Sequence, residues 1–185
     1  GAMTKSQNNE IYFVIGDLSQ SGTFQNIPNK IIYETSSIFK VVTERNNSVE
    51  LYAMGIRNSF GLAVDPVTGH LWDTENGLYS FDEVNLVKDG FNSGWISVMG
   101  PATESQLSNL PSYEDYVYGD PQFSWEVPVA PTALAFAEFK EIDAYKNALF
   151  VGDCNNGNLY KFELNQERNG FEFDTSLLKD NVVNK

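Results

Sequence analysis

The stretch that decides the fold class reads NALFVGDCNNGNLYKF over residues 147–162. Two runs rich in apolar and aromatic residues, 147–151 and 158–162, flank a polar segment that contains Gly152 and Gly157. Short runs of this kind, bounded by Gly, Asn and Asp, are typical of β-strands that a hairpin turn joins. We therefore predict a β-hairpin at this position.

Further short apolar runs predict strands elsewhere, each bounded by Gly, Asn, Asp or Ser. They cover residues 11–15, 30–33, 38–42, 49–52 and 61–64. A second hairpin is predicted where residues 65–69 (DPVTG) join 62–64 to 70–72, because proline presets a turn and glycine tolerates positive φ. Since no stretch sustains a helical stripe over three turns, the sequence predicts an all-β fold.

A weak internal repeat makes the fold prediction more specific. Residues 12–17 (YFVIGD) and 149–153 (LFVGD) are both apolar strands that end in Gly-Asp, and 70–77 is a looser third copy. Repetition of a strand-rich unit is typical of a β-propeller, although a β-sandwich with similar hairpins leaves the same pattern. At about 40–50 residues per blade, the chain is long enough for roughly three antiparallel, four-stranded blades.

The composition excludes several classes of protein. The net charge is −13 with only 12 Lys and Arg residues, which argues against a nucleic-acid partner because phosphate binding needs clustered cations. The single cysteine, Cys154, excludes an intramolecular disulfide, and the single histidine, His70, excludes two-His metal motifs. His70 follows a hairpin turn, so we expect it at the surface. No apolar run reaches the roughly 20 residues that span a bilayer.

The start of the chain and one internal stretch are set apart from the blades. Residues 1–3 (GAM) resemble the remnant of a cleaved expression tag, and we expect the natural segment to begin near Thr4. Residues 4–185 are predicted to form a partial β-propeller. Within them, residues 101–125 lack strand alternation and predict an ordered loop insertion on one face.

The densest cluster of unusual residues has three parts. These are residues 55–63 (GIRNSFGLA), 75–85 (ENGLYSFDEVN) and 90–95 (GFNSGW). From chemistry alone, Arg57 and Asn58 can hold a ligand carboxylate, or the pair ties down a loop. Gly77 lets the backbone approach a ligand closely. Asp82 and Glu83 are either oxygen ligands for a cation or two solvated carboxylates on a turn.

In this order and spacing, the three parts resemble the pyrroloquinoline quinone (PQQ) dependent sugar dehydrogenases, the soluble glucose, aldose and sorbosone dehydrogenase group. The pattern of that group runs G-x-R-N-x-x-G-L-A, then E-x-G-P ahead of D-E-x-N, then G-x-N-x-G-W. Looser similarity extends from about residue 11 to residue 162. The resemblance implies a six-bladed propeller, of which this chain forms about half.

The resemblance also implies a function for the intact relative. It oxidises an aldose at C1 and passes a hydride to PQQ, which calcium makes more electrophilic. It implies a periplasmic or secreted location, although this chain contains no signal peptide. Three open blades imply a homodimer that closes a pseudo-propeller, or else aggregation, because they expose sheet edges and an apolar face between blades.

By the same resemblance, individual residues have expected roles. Arg57 and Asn58 match the cofactor-binding pair, and Asn155 falls where the family has a cofactor-binding lysine. The carbonyls of Gly77 and Leu78 match the calcium ligands beside the quinone, with Leu78 in place of the usual proline.

Three further positions match acidic residues of the family. Asp82 and Glu83 match a pair that helps hold a second, structural calcium. Asp17 matches an aspartate that orients the catalytic histidine; on the residues alone, it is equally well a turn-forming aspartate.

The chain departs from the family pattern at several places. Ser93 replaces an aromatic residue, the catalytic histidine would lie before residue 11, and further arginines would lie beyond Lys185. We therefore expect little sugar oxidation by this chain alone. Two alternatives stay open: a non-catalytic propeller that binds sugar or calcium, and a propeller that serves as an interaction module.

Overall fold

The computed structural model describes residues 1–18, 26, 35–43, 48–137, 142 and 145–173. Within these residues the chain forms thirteen strands and one short helix, α1 (Glu104–Asn109), so the all-β prediction is confirmed. The strands are β1 (Met3–Lys5), β2 (Ile11–Ile15), β3 (Ser37–Val42), β4 (Ser48–Met54), β5 (Ser59–Val64), β6 (Leu71–Glu75), β7 (Asp82–Val87), β8 (Phe91–Asn92), β9 (Val117–Tyr118), β10 (Phe123–Trp125), β11 (Pro131–Phe136), β12 (Ala148–Asp153) and β13 (Leu159–Glu163).

The strands form three sheets, which we call the first, second and third blades. Their strand orders are β1-β2-β3-β4-β8-β9, then β10-β7-β6-β5, then β11-β12-β13. Neighbours are antiparallel except for the parallel pairs β4–β8 and β8–β9. Strand β5 lies against both β1 and β11, so the inner strands of the three blades are adjacent, as in a propeller.

Both predicted hairpins are present. Strands β5 and β6 pair across residues 65–70, and β12 and β13 pair across residues 154–158. The strand predicted at residues 30–33 lies outside the described residues. Strand β7 was not expected, because Asp82 and Glu83 look like turn residues in sequence, yet they open a strand that is buried throughout.

Two segments differ from their sequence description. Met3, set aside with the tag-like residues, pairs with Phe13 in β1, since any extended segment can add backbone hydrogen bonds to a sheet edge. Residues 101–125 contain α1, which Thr103 caps through a capping box, and the short strand β9. They end in β10, which pairs with β7 as the outer strand of the second blade.

Two apolar clusters hold the blades together. The cluster between the first and second blades contains Tyr12, Val14, Ile38, Ala53, Ile56, Leu62, Leu71, Val87 and Phe91. The cluster between the second and third blades contains Trp72, Val84, Leu86, Leu134, Leu149, Val151, Phe162 and Leu164. Because neighbouring strand residues point to opposite faces, Leu71 and Trp72 belong to different clusters. No helix in the described part of the chain is long and apolar enough to cross a membrane.

Candidate functional site

One end of the first and second blades carries a cleft of about 480 Å³. Its lining residues are Asp17, Arg57, Asn58, Leu78 and Tyr79. They come from three loops: the one after β2, the one between β4 and β5, and the one between β6 and β7. The fold therefore brings together four residues from the three groups that the sequence predicted: Asp17, Arg57 with Asn58, and Leu78.

Arg57 lines this cleft and is fixed by its own contacts. Its Nη1 donates to the carbonyl oxygens of Asn76 and Gly77 at 2.7 and 2.8 Å. The centre of the guanidinium lies 5.5 Å from the ring centroid of Trp95, a cation–π distance. Among the described residues, both side-chain hydrogen bonds of Arg57 run through Nη1.

Asp17 lies beside Arg57 through its backbone and its side chain. Its amide donates to the carbonyl of Arg57 at 2.7 Å. Its carboxylate accepts a hydrogen bond of 3.0 Å from Nε1 of Trp95, the ring that faces the guanidinium. Asp17, Arg57 and Trp95 thus form one connected group at the edge of the cleft.

Gly77 meets the requirement for a small residue, but in a different way from the one predicted. A Cβ at this position would collide with the backbone carbonyls of Ser80 and Phe81. The close approach therefore occurs within the turn between β6 and β7. The carbonyl of Gly77 is one of the two that accept from Arg57.

Asp82 and Glu83 are buried, each about 1% exposed, so the alternative of solvated carboxylates on a turn is wrong. As neighbours on one strand, their side chains leave opposite faces of the sheet. Asp82 accepts from the amides of Gly77 (2.8 Å), Val129 (2.6 Å) and Ala130 (2.7 Å) and so clamps two loops. The structure does not bring the pair together, and a calcium ion held by both stays a prediction.

Asn155 and His70 lie away from the lining of the cleft. Asn155 is exposed in the turn between β12 and β13 and donates to the carbonyl of Pro128 at 3.0 Å. His70 is half-buried, and its Nδ1 lies 3.3 Å from the carbonyl oxygen of Arg168. His70 precedes β6, whereas Glu75 ends that strand on the side of the cleft. Because five extended residues span about 16 Å, His70 and Glu75 lie about that far apart.

Sequence reasoning named Glu83 as a candidate calcium ligand but missed that it belongs to a group of buried acids, which we call the acidic layer: Asp73, Glu75 and Glu83. All three are at most 1% exposed and face the first blade. Strand pairing sets Glu75 directly opposite Glu83, and Asp73 opposite Asn85. Burial raises the pKa of Asp73 and of Glu83 to about 7, and it raises the pKa of Glu75 well above its ordinary value. The sequence did carry one signal: acidic residues at positions 73 and 75 are two apart, which places them on the same face of a strand.

The members of the acidic layer differ in their partners. Glu83 accepts from the amide of Gly100 at 2.5 Å and from Asn85 at 3.1 Å. No hydrogen bond of good geometry reaches either carboxylate oxygen of Asp73 from the described residues, although Ser59 and Asn85 lie near enough to offset part of the rise in its pKa. Across the same residues, no three His, Cys, Asp or Glu side chains are arranged to hold a metal ion.

The model of the glucose/sorbosone dehydrogenase family matches residues 1–182. The chain belongs to this family. It is 34% identical to an uncharacterised protein of Synechocystis over 106 residues, which are 56% of this chain and 25% of that protein. It is 26% identical to the aldose sugar dehydrogenase of Escherichia coli over 129 residues, 69% of this chain and 35% of the relative.

Solved structures show the same fold. The PQQ-bound form of the aldose sugar dehydrogenase from Streptomyces coelicolor matches 94% of this chain with a TM-score of 0.67 and 20% identity. The match covers 47% of that chain, so this chain spans about half the length of the solved relative. The fold is thus about half of the six-bladed propeller of the glucose dehydrogenases, and the predictions of family and fold class are confirmed.

Proposed function

We propose that this chain forms the quinone-binding part of a PQQ- and calcium-dependent aldose dehydrogenase. The observation that carries the proposal is that Arg57 lines the cleft and is held there by two hydrogen bonds from Nη1. Membership of the glucose/sorbosone dehydrogenase family supports a redox function with a sugar as substrate.

The residues of the cleft fit an anionic, planar cofactor. The volume of the cleft, about 480 Å³, lies in the usual range for small-molecule sites, roughly 300–1,000 Å³. Arg57 and Asn58 supply donors for carboxylates, and Leu78 and Tyr79 supply exposed apolar surface at 38% and 86% exposure. When bound, PQQ would supply the hydride acceptor, and the protein would orient it and the sugar.

The turn between β6 and β7 offers backbone carbonyl oxygens, which suit calcium. The carbonyls of Gly77 and Leu78 would be its ligands, because calcium takes hard oxygen donors readily. The carbonyl of Gly77 already accepts from Arg57, so a bound ion would share that oxygen with the guanidinium or displace it. Asp82 supports this turn, since its carboxylate holds the amide of Gly77.

Asp17 is proposed to orient the general base of the intact enzyme. Asn155 stays a proposed cofactor contact only by its position in the family pattern, since it lies outside the lining of the cleft and donates to the carbonyl of Pro128. The base itself would be a histidine. His70 does not fill that role, because it lies at the other end of β6 and contacts the carbonyl of Arg168. Since general base catalysis is worth about 10²–10⁴-fold, we propose that this chain alone oxidises sugars far more slowly than an intact relative.

The partner of the open blades is proposed to be a second copy of this chain. The outer face of the first blade carries the apolar cross-strand rows Ile11–Val41–Val49 and Phe13–Phe39–Leu51. Two copies of three blades would make six, the number in the family's propeller. Sedimentation at several concentrations tests this: a dimer is expected, and a monomer throughout would contradict it. A periplasmic or secreted location is proposed on family membership alone.

The binding proposal is tested by titrating PQQ, with calcium present, into the wild type and Arg57→Ala while following quinone absorbance. Lys161→Ala, a surface change on the third blade, is the matched control. We expect Arg57→Ala to weaken binding by roughly tenfold or more, because a charge-assisted hydrogen bond is lost. Equal affinities in the wild type and Arg57→Ala would refute the cofactor assignment.

A second candidate function is a propeller that binds sugar or calcium without redox chemistry. The placement of His70 away from the cleft favours it. Dye reduction with several aldoses separates the two functions: binding without turnover supports the second candidate or an incomplete enzyme, whereas turnover at the rate of an intact dehydrogenase refutes both.

A further inference from the structure

A buried carboxylate lies directly behind Arg57. Oε1 of Glu75 accepts the backbone N–H of Arg57 at 2.6 Å. Oε2 of the same carboxyl group lies 2.7 Å from the hydroxyl of Ser93, which donates to it. Glu75 is 0% exposed and Ser93 is 5% exposed, so both side chains are buried.

The loops on both sides of this carboxylate are tied to each other. The guanidinium of Arg57 bonds the carbonyls of Asn76 and Gly77, the two residues that follow Glu75. In return, the amide of Asn76 donates to the carbonyl of Asn58 at 2.9 Å. Glu75 therefore fixes the main chain at the position from which the Arg57 side chain extends into the cleft.

The hydroxyl group of Ser93 lies between two buried carboxyl groups. Ser93 reaches Glu75 at 2.7 Å and Glu83 at 3.3 Å, so it contacts both acids that face each other across β6 and β7. The hydroxyl thereby limits the positions that the Glu75 side chain can take.

We propose that Glu75, supported by Ser93, is a positioning residue that sets Arg57 for an anionic ligand carboxylate in the cleft. The inference rests on the proposed quinone-binding function and assigns a role to two residues outside the lining of the cleft. Without Glu75, the amide of Arg57 would be buried with no acceptor, and its loop would shift to find one. The guanidinium would then meet its ligand in the wrong place.

A double-mutant cycle separates positioning of Arg57 from a general effect on the fold. The proteins are the wild type, Glu75→Leu, Glu75→Gln, Arg57→Ala and the double variant Glu75→Leu/Arg57→Ala, with Glu104→Leu on the exposed helix α1 as control. The readout is the dissociation constant of PQQ from quinone absorbance, with calcium constant. Thermal unfolding of each protein is recorded in parallel.

We expect Glu75→Leu to weaken PQQ binding about tenfold, in line with the loss of one hydrogen bond to a charged group. Glu75→Gln should restore binding, since the amide oxygen accepts from Arg57 and the amide nitrogen donates to Ser93. In the Arg57→Ala background, Glu75→Leu should have no further effect on binding. An equal loss in both backgrounds, or no loss in the wild-type background, would overturn the inference.

Ser93→Ala gives the same test with a smaller change that removes only one oxygen atom. We expect a loss of PQQ affinity of roughly threefold that disappears in the Arg57→Ala background. A loss that persists there would overturn the role given to Ser93. If Arg57→Ala itself leaves binding unchanged, the proposed function fails first, and that result is distinct from a failure of Glu75 alone.

Discussion

The two faces of the second blade are built from the same strands and differ in almost every respect. Towards the third blade, Trp72, Val84 and Leu86 pack into an apolar and aromatic cluster. Towards the first blade, the alternate residues of β6 and β7 begin with the apolar pair Leu71 and Val87 and continue into the acidic layer, where two glutamates lie directly opposite each other. Like charges opposite each other in a sheet are destabilising, and burial adds to the cost.

The difference shows that one face of the sheet mainly stabilises the fold, whereas the other face supports the candidate site. The aromatic face contributes hydrophobic stability, while the acidic face lies behind Arg57 and holds its loop through Glu75. Because strand residues alternate between faces, each property can be changed without altering the other. The predictions below test this separation, from the largest expected effect to the smallest.

Removal of the largest aromatic side chain from the apolar face should cost the most stability. Trp72 is 0% exposed, and Trp72→Ala should lower the free energy of unfolding by about 3–5 kcal/mol, since it leaves a large cavity. Urea denaturation measures the change. Val67→Ala, at a position 71% exposed in a turn, is the control and should change stability by less than about 0.5 kcal/mol.

The acidic layer should make stability depend on pH in an unusual direction. The pKa values of Asp73 and Glu83 are raised from 3.8 and 4.5 to about 7 by burial, so the folded state binds more protons than the unfolded state between these values. Stability should then fall as pH rises from about 5 to 7, by on the order of 3 kcal/mol.

Other carboxyl groups act in the opposite direction at lower pH. Lys40 lowers the pKa of Glu10, and Arg168 lowers the pKa of Asp65 against the effect of burial. Their contribution is present above the unfolded values and is lost as pH falls below about 4. Urea titrations from pH 3 to pH 8 should therefore show a maximum near pH 5. A maximum at or above pH 7 would contradict the assigned burial of the acidic layer.

Replacing one buried carboxylate by an amide of the same shape should have opposite effects on stability at Asp73 and at Asp82. Asp73 has no hydrogen bond of good geometry to either oxygen, so Asp73→Asn should stabilise the fold at pH 8 by about 1–3 kcal/mol and flatten the pH dependence. Asp82→Asn is the matched control on the neighbouring strand. Its carboxylate accepts three backbone amides, so this change should destabilise the fold. The same sign for both variants would contradict the account.

Much of the fold could be predicted from local patterns. The runs that became β2, β3 and β12 are short and rich in apolar residues, and the turns at residues 65–69 and 152–157 carry their own Pro and Gly signals. Strand β7 escaped prediction because Asp82 and Glu83 are residue types that are rarely buried. Their burial depends on the first and third blades and on Gly100, which are distant in sequence.

The candidate site was predictable in part for a similar reason. The motif placed Arg57, Asn58 and Leu78 near each other, and all three line the cleft. The motif did not indicate that Arg57 would bond the carbonyl of Gly77, or that Glu75 would accept its amide. Those contacts depend on the geometry of two loops that only the packed blades bring together.

The central claim, that ligand binding belongs to the Arg57 side of the second blade, is tested most directly by ligand-induced stabilisation. Urea denaturation of the wild type, Arg57→Ala and Lys161→Ala would be measured with and without PQQ and calcium. At a ligand concentration about 100 times Kd, the wild type and Lys161→Ala should each gain about 2.7 kcal/mol. Arg57→Ala should gain roughly 1.4 kcal/mol less, the energy of a tenfold weaker affinity. An equal gain in all three proteins would contradict the claim.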